Sequence, residues 1–221
     1  MVLVPAGKFW MGCNEKVDAS CDKDEKPGGE MHLDAFYIDK HEVTVADYRK
    51  CAEAGTCSTA ATGEYCNWGK SGRENHPINC VDWKQAKTYC EAWAGGRLPT
   101  EAEWEKAARG TDGRVYPWGN PWDSSKVNVG PLETVPVGSY PTGANGLYDM
   151  AGNVWEWTSS LYKSSRYEAS DGREDPKSSE ARVVRGGSWP NTAESTRASN
   201  RNRDDPEYRS NYVGFRCAKT P

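Results

Sequence analysis

Three segments combine the apolar spacing of a short helix with helix start and stop signals. The run 45–52 is amphipathic and follows Thr44, which predicts a helix with Thr44 as its N-cap. Residues 83–93 repeat apolar side chains at helical spacing and precede two glycines, which predicts a second helix. The sequence at 100–103 is a capping box, so a third helix should begin there and end at Gly110.

The rest of the chain has weaker patterns, because Gly, Pro, Asn and Ser interrupt it every few residues. Runs of β-branched and aromatic residues predict short strands at 36–38, 183–185 and 213–217. Residues 163–181 carry almost no apolar side chain, which predicts a mobile surface loop. We therefore expect an α+β protein with three short helices, small antiparallel sheets and many turns.

Composition shows what the core must be made of. The 221 residues include 10 Trp and 11 Tyr but only 3 Phe, so we expect a core of few, bulky rings. The mean hydropathy of -0.87 argues against a membrane span. The net charge of -4 argues against a nucleic-acid binder. Acidic residues concentrate at 15–34 and arginines at 182–216, and each set alone is most simply a solvated face.

The eight cysteines indicate the compartment. With three His and no CxxC pair, a four-ligand zinc site is improbable, so disulfides are the better interpretation. Disulfides predict an extracytoplasmic location, whether periplasmic, surface-anchored or secreted. The first residues lack the basic and apolar regions of an export signal, so we expect any such signal to have been removed or to lie outside this chain.

Eight short motifs, in order along the chain, resemble the formylglycine-generating enzyme/sulfatase-modifying factor (FGE-sulfatase) domain family. They occupy residues 4–12, 42–44, 76–83, 97–105, 116–119, 146–157, 185–189 and 214–216. The resemblance implies a single domain over 1–221 with a C-type-lectin-like fold and little regular secondary structure.

The resemblance also implies an active-site chemistry that this chain does not match. Catalytic members bind copper through two cysteines, three and eight residues beyond the serine of a Gly-Gly-Ser motif, and soft sulfur suits Cu(I). Counted from Ser188, these positions are Asn191 and Thr196. Because neither residue supplies a thiolate, we expect neither bound copper nor formylglycine-generating activity, and we assign no catalytic residue.

One disulfide is implied by the resemblance, between Cys90 on the second helix and Cys217 in the last strand. The other six cysteines are not in the family pattern. Pairing of neighbours, Cys13–Cys21, Cys51–Cys57 and Cys66–Cys80, is one of the 15 connectivities that six cysteines allow. Free buried thiols are the alternative.

A structural calcium ion is the cofactor that the resemblance implies. Its ligands would be the side chains of Asp149 and Glu156 and the carbonyls of Gly152 and Val154, an all-oxygen set that suits calcium. The alternative is a turn at Asp149 with Glu156 paired to an arginine. The family's second calcium site would use Asn128 and Val129, but the acidic segment that should follow is missing, so we do not expect it.

The stretch 189–212 suggests a binding surface, because its Asn, Ser, Tyr and Arg content is typical of recognition surfaces. It also resembles the variable region of retroelement-diversified proteins of this fold. The ligand-binding candidates are Trp189, Asn191, Thr196, Asn200, Asn202, Arg203, Tyr208, Asn211 and Tyr212.

The leading hypothesis is therefore a non-catalytic, monomeric, extracytoplasmic module that binds a protein, glycan or small molecule through 189–212. One alternative is a family enzyme with oxidoreductase or tailoring activity that does not use the copper dithiolate site. A third possibility is an accessory domain of a larger lipoprotein or membrane-anchored kinase. A polar loop that binds nothing also stays open.

Overall fold

The three predicted helices are present in a computed structural model that describes residues 1–221. Helix α1 is Val45–Glu53, α2 is Trp83–Thr88 and α3 is Glu101–Arg109. Thr44 caps α1 by accepting a hydrogen bond from the Asp47 N–H, and the capping box at the start of α3 is complete. Helix α2 is shorter than predicted because the chain widens into a π-helical turn at Tyr89–Trp93.

Nine short strands form three sheets. They are β1 Val2–Val4, β2 Gly7–Met11, β3 Gly29–Leu33, β4 Phe36–Ile38, β5 Trp155–Leu161, β6 Arg182–Arg185, β7 Arg201–Asp204, β8 Val213–Gly214 and β9 Ala218–Lys219. The sheet orders are β1-β4-β9, β2-β3 and β7-β6-β5-β8. All pairs are antiparallel except β5 with β8, which is parallel, so the predicted small antiparallel sheets are present with one parallel pair added.

Only the first two residues of the strand predicted over 213–217 form a strand, β8, and β9 begins one residue after the predicted range. Residues of β8 pair with β5, whereas β9 pairs with β4 in another sheet. Cys217 therefore lies just before the last strand, where its N–H donates to Asp39 Oδ2 at 3.0 Å. Alternation of apolar and polar residues continues through this change of sheet, so the pattern could not show it.

The largest hydrophobic cluster has 19 buried residues and depends on aromatic rings. Tyr48, Tyr89 and Phe215 contact one another, with ring centroids 5.4 to 6.3 Å apart. Trp104 and Trp157 are fully buried. All eight cysteines are paired, as Cys13–Cys21, Cys51–Cys57, Cys66–Cys80 and Cys90–Cys217. None of the helices has the length and apolar character needed to cross a lipid bilayer.

Two segments that the sequence places in solvent are anchored on the core instead. In the loop 163–181, Arg173 is fully buried, lies 3.6 Å from Glu101 on α3 and stacks on Tyr167. The acidic N-terminal segment packs on Arg197, which bonds Glu25 and Asp18. The interpretations as a free surface loop and as two separate solvated faces are therefore wrong at these residues.

Candidate functional site

The turn after β6 holds Asn191 and Thr196, the positions that the family resemblance predicts for the copper ligands of catalytic members. Gly187 adopts the left-handed conformation, with φ of 74°, and the chain then turns back at Ser188. Asn191 Oδ1 accepts hydrogen bonds from the Ser188 N–H at 3.0 Å and the Ser188 hydroxyl at 2.7 Å. Thr196 is fully buried and its hydroxyl donates to the Ala193 carbonyl at 2.7 Å. Both side chains are thus engaged in holding this turn.

Three residues that could in principle bind a metal lie close together elsewhere in the chain. They are Cys13, Asp18 and Cys21, and their ligand atoms lie within 4.8 Å of one another. Both sulfurs are joined in a disulfide, so they are not thiolates. The turn at Ser188 and this group therefore both lack the sulfur donors that a copper centre of the family type uses.

An aromatic pair borders the turn at Ser188. The rings of Trp189 and Tyr65 have centroids 5.4 Å apart, and Tyr65 is 40% exposed. The buried Trp189 Nε1 has no hydrogen-bond partner. Sequence analysis missed Tyr65; its position directly before Cys66, where the Cys66–Cys80 loop begins, is the signal that could have found it.

The remaining ligand-binding candidates contact different parts of the molecule. The Asn211 carbonyl accepts a hydrogen bond from Asn79, which also bonds the Tyr65 carbonyl, so Asn211 lies near the aromatic pair. Tyr212 packs on the largest core cluster. Asn200, by contrast, donates to Asp22 and Glu25 of the N-terminal segment.

The candidates most exposed to solvent are on β7 and in the loop after it. Asn202 and Arg203 are exposed on β7, an edge strand, and the Arg203 guanidinium lies 4.5 Å from the Tyr162 ring centroid. Tyr208 is 53% exposed in the following loop. Of the nine candidates, these three side chains are the most accessible to a partner, whereas Thr196 is not available without a rearrangement.

The segment that should hold calcium is a tight turn leading into β5. Asp149, Gly152 and Asn153 all have positive φ values, between 55° and 75°. A side chain at Gly152 would place its Cβ 2.6 Å from the Asn128 carbonyl oxygen, so only glycine fits this close approach. Asp149 Oδ2 accepts the Gly138 N–H at 2.7 Å, and burial raises the pKa of Asp149 to about 6.

Glu156, the other predicted side-chain ligand, is neutralised by an arginine. Its Oε1 accepts from Arg216 Nη2, and its Oε2 accepts from Arg216 Nε and Trp104 Nε1, all at 2.7 to 2.8 Å. Both partners are buried. With three N–H donors on this carboxylate, the arrangement does not fit a calcium shell that includes Glu156, and it corresponds to the ion-pair alternative.

Sequence analysis also missed the role of Glu42, which entered only as part of a motif. Its carboxyl is buried and accepts from Asn153 Nδ2 at 2.7 Å and the Val154 N–H at 3.3 Å. Burial, together with the nearby charges of Asp149 and Glu156, raises the pKa of Glu42 well above its usual range. Arg216 is thus surrounded by three carboxyl groups, and the turn carries more acid than base.

The residues of the second calcium site, Asn128 and Val129, lie in a separate segment that contacts the same turn through a bridge between Asn128 and Gly152. Asn128 Nδ2 donates to the Glu133 carbonyl at 3.1 Å and Asn153 Oδ1 at 3.3 Å, while Asn128 Oδ1 is buried without a partner. Val129 adjoins Gly130, whose N–H bonds the Trp189 carbonyl. The one acidic residue of the following segment, Glu133, pairs its carboxylate with Arg73 and offers Asn128 only its backbone carbonyl.

Calcium binding through Asp149 and the carbonyls of Gly152 and Val154, without Glu156, stays a prediction that a melting experiment can decide. If calcium binds, it should raise the melting temperature. At a calcium concentration 100 times the dissociation constant, the free energy of unfolding should increase by about 2.7 kcal/mol. The Asp149→Ala variant should lose this response, because it removes a carboxylate that Arg216 does not neutralise directly. Identical melting curves in EGTA and in millimolar calcium would show that the Glu156–Arg216 pair alone organises the turn.

Comparison with known proteins places these features in a family. The family model of the sulfatase-modifying factor enzyme 1-like domain matches residues 1–221. The chain is 36% identical over 241 residues to the serine/threonine-protein kinase pkn1 of Chlamydia caviae, in an alignment that covers 99% of the chain but 38% of the kinase. The chain thus spans little more than a third of the length of this relative.

Two further comparisons cover most of both partners. The chain is 33% identical over 282 residues to the inactive C-alpha-formylglycine-generating enzyme 2 of Mus musculus, covering 100% of the chain and 85% of that protein. The structure of PvdO from Pseudomonas aeruginosa aligns with a TM-score of 0.84 and 27% identity, over 99% of the chain and 93% of PvdO. The fold is the C-type-lectin-like fold that the motifs implied, and the chain belongs to the sulfatase-modifying factor enzyme 1-like (FGE-sulfatase) domain family.

Proposed function

We propose that this chain is a non-catalytic, extracytoplasmic member of the family that binds a protein or glycan ligand through 189–212. The observation that carries the proposal is the turn at Ser188, where Asn191 and Thr196 stand at the positions that the family resemblance assigns to the two copper-binding cysteines, and where both side chains bond the turn itself. A relative named as an inactive formylglycine-generating enzyme supports the view that the family keeps this fold without the oxidase activity.

The accessible part of the stretch supports a binding role. Tyr208 is more than half exposed, and Arg203 is exposed without an acidic partner within ion-pair distance. Tyrosine supplies contact area at low entropic cost and arginine supplies directional donors, so both are frequent at protein interfaces. The four disulfides are compatible with an oxidising compartment, where such a module would meet external ligands.

The proposal predicts no formylglycine production. A sulfatase-type peptide incubated with the chain, copper and oxygen should keep its cysteine, because no thiolate is available to bind the metal. A loss of about 18 Da from the peptide that depends on the chain and on oxygen would overturn the proposal. If the chain converts another substrate, and this activity persists after copper is removed, the alternative of a family enzyme with different chemistry is favoured.

The binding role is tested on the same protein with glycan and peptide arrays. The chain should bind a defined class of array probe, and Arg203→Ala and Tyr208→Ala should weaken that binding by about tenfold each, as for residues at the centre of an interface. Tyr37→Ala is the matched control, because Tyr37 is 37% exposed on β4 of a different sheet. Binding that is equally sensitive to Tyr37→Ala, or absent from every array, would contradict the assignment of 189–212.

A further inference from the structure

A cleft of about 250 Å³ lies away from 189–212, between α2, the segment before α3 and the loop 163–181. Trp83, Leu98 and Pro176 form its apolar walls, and Arg97, Ser159 and Glu174 supply polar groups. At about 30 Å³ per water molecule, this volume admits a small molecule and not a folded partner. The question is which chemistry the polar groups are arranged to recognise.

Glu174 presents a carboxylate that has only hydroxyl donors. Its Oε2 accepts from the Ser159 hydroxyl at 2.6 Å, while its Oε1 accepts from the hydroxyls of Ser160 and Tyr167. No lysine or arginine nitrogen lies within 4 Å of it. Since each carboxylate oxygen accepts two hydrogen bonds, Oε2 has one position left for a ligand N–H donor.

Arg97 presents the opposite half of the site. Its Nη1 and Nη2 bond the two carboxylate oxygens of Glu103 at 2.6 and 2.5 Å, and Nη1 also bonds the Leu98 carbonyl at 3.2 Å. These contacts leave the Nε–H and one Nη2–H free, on the side of the guanidinium that matches a second carboxylate in bidentate fashion. The Arg97 side chain is 34% exposed and lines the cleft.

The charges around the cleft balance. Lys87 pairs with Glu91 at 2.6 Å and Arg97 pairs with Glu103. A further charge near the cleft is Arg182, which does not line it but stacks 4.0 Å from the centroid of the Trp83 ring and donates only to backbone carbonyls. Arg182 offsets Glu174, so a ligand with a net charge would be less well matched than one that carries both signs.

We propose that this cleft binds a small zwitterion of the amino-acid type with an apolar side chain. The ligand ammonium donates to Glu174 Oε2, the ligand carboxylate accepts from the free side of Arg97, and the apolar side chain packs on Trp83 and Leu98. This site is separate from the surface at 189–212, so it does not depend on the proposed function.

The test uses L-leucine and two relatives that each lack one charge. N-acetyl-L-leucine has no ammonium and L-leucinamide has no carboxylate, and NMR of the ¹⁵N-labelled chain follows the Trp83 indole and the Arg97 Nε–H. We expect saturable shifts with L-leucine and binding about tenfold weaker for each relative, because each loses a charge-assisted hydrogen bond. Equal binding of all three, or no shift at about 10 mM L-leucine, overturns the proposal.

A variant and its matched control complete the test. Glu174→Gln keeps the shape and should weaken L-leucine binding about tenfold. Glu168→Gln makes the same change at an exposed position of the same loop and should leave binding unchanged. If Glu174→Gln fails to fold, the comparison of the three ligands on the unmodified chain still decides. Unchanged affinity in a folded Glu174→Gln variant overturns the assignment of the ammonium site.

Discussion

Replacing Cys90 and Cys217 together by alanine is expected to lower the free energy of unfolding by about 4–5 kcal/mol. The two residues are 127 positions apart, so their disulfide closes a loop of more than half the chain and strongly restricts the unfolded state. Both cysteines are fully buried between the helical segment and the strand region. Urea denaturation of both proteins under oxidising conditions measures the difference.

The matched control removes a short-range disulfide. Cys51 and Cys57 are also buried, but they are only 6 positions apart, so their double alanine variant should lose about 2 kcal/mol. Equal losses in the two double variants would contradict the view that the length of the closed loop sets the stabilisation. A Cys90/Cys217 variant as stable as the unmodified chain would show that this pairing contributes little.

Replacing Arg197 by methionine should cost about 3–5 kcal/mol, since it leaves buried carboxylates without a cation. Arg197 bonds both oxygens of Glu25 at 2.6 and 2.7 Å and bonds Asp18 at 3.0 Å, and all three side chains are buried. This contact holds the N-terminal segment on the C-terminal half of the chain. Thermal or urea unfolding at neutral pH measures the loss.

The loss of stability caused by Arg197→Met should be smaller near pH 4 than at neutral pH. Burial already raises the pKa of Glu25, and its hydrogen bonds with Arg197 oppose that shift. Without Arg197 the pKa of Glu25 rises further, so the folded variant binds a proton that the unfolded chain has lost, and the variant loses stability as pH rises. An unchanged difference between pH 4 and pH 7 would contradict this explanation.

Arg114→Met serves as the control for the substitution itself. Arg114 pairs with Asp112 at 2.7 Å, but the two side chains are 30% and 56% exposed. A solvent-exposed pair contributes about 0–1 kcal/mol, so this variant should be nearly as stable as the unmodified chain. A comparable loss in both variants would mean that burial of the ion pair is not the cause.

The local signals in the sequence were sufficient for the helices. Thr44 and the capping box at 100–103 act on backbone N–H groups within three residues, so their effect does not depend on distant parts of the chain. The strands were predicted less completely. The sequence of β2 was assigned to a family motif and not to a strand, and β7 was assigned to a polar surface because its four residues, Arg-Asn-Arg-Asp, are all polar.

The candidate site, like the fold, was predicted only in part from the sequence. Counting from Ser188 identified Asn191 and Thr196 without any structure. The calcium segment illustrates the limit, because the same Asp149 and Glu156 could face a cation or an arginine. Arg216, 60 residues beyond Glu156 in sequence, meets it only after β8 pairs with β5, and no spacing along the chain indicates this contact.

By itself the sequence determined the family, the N-caps of the helices and the residues that stand at 191 and 196, because motifs, caps and residue identity are local properties. Tertiary structure decided which charges meet. The acidic segment before residue 26 and the arginines after 182 form buried ion pairs, and Arg173 draws the loop 163–181 onto α3. Charges attract whichever partner the fold brings near them, and in water their spacing along the chain carries no information about that partner.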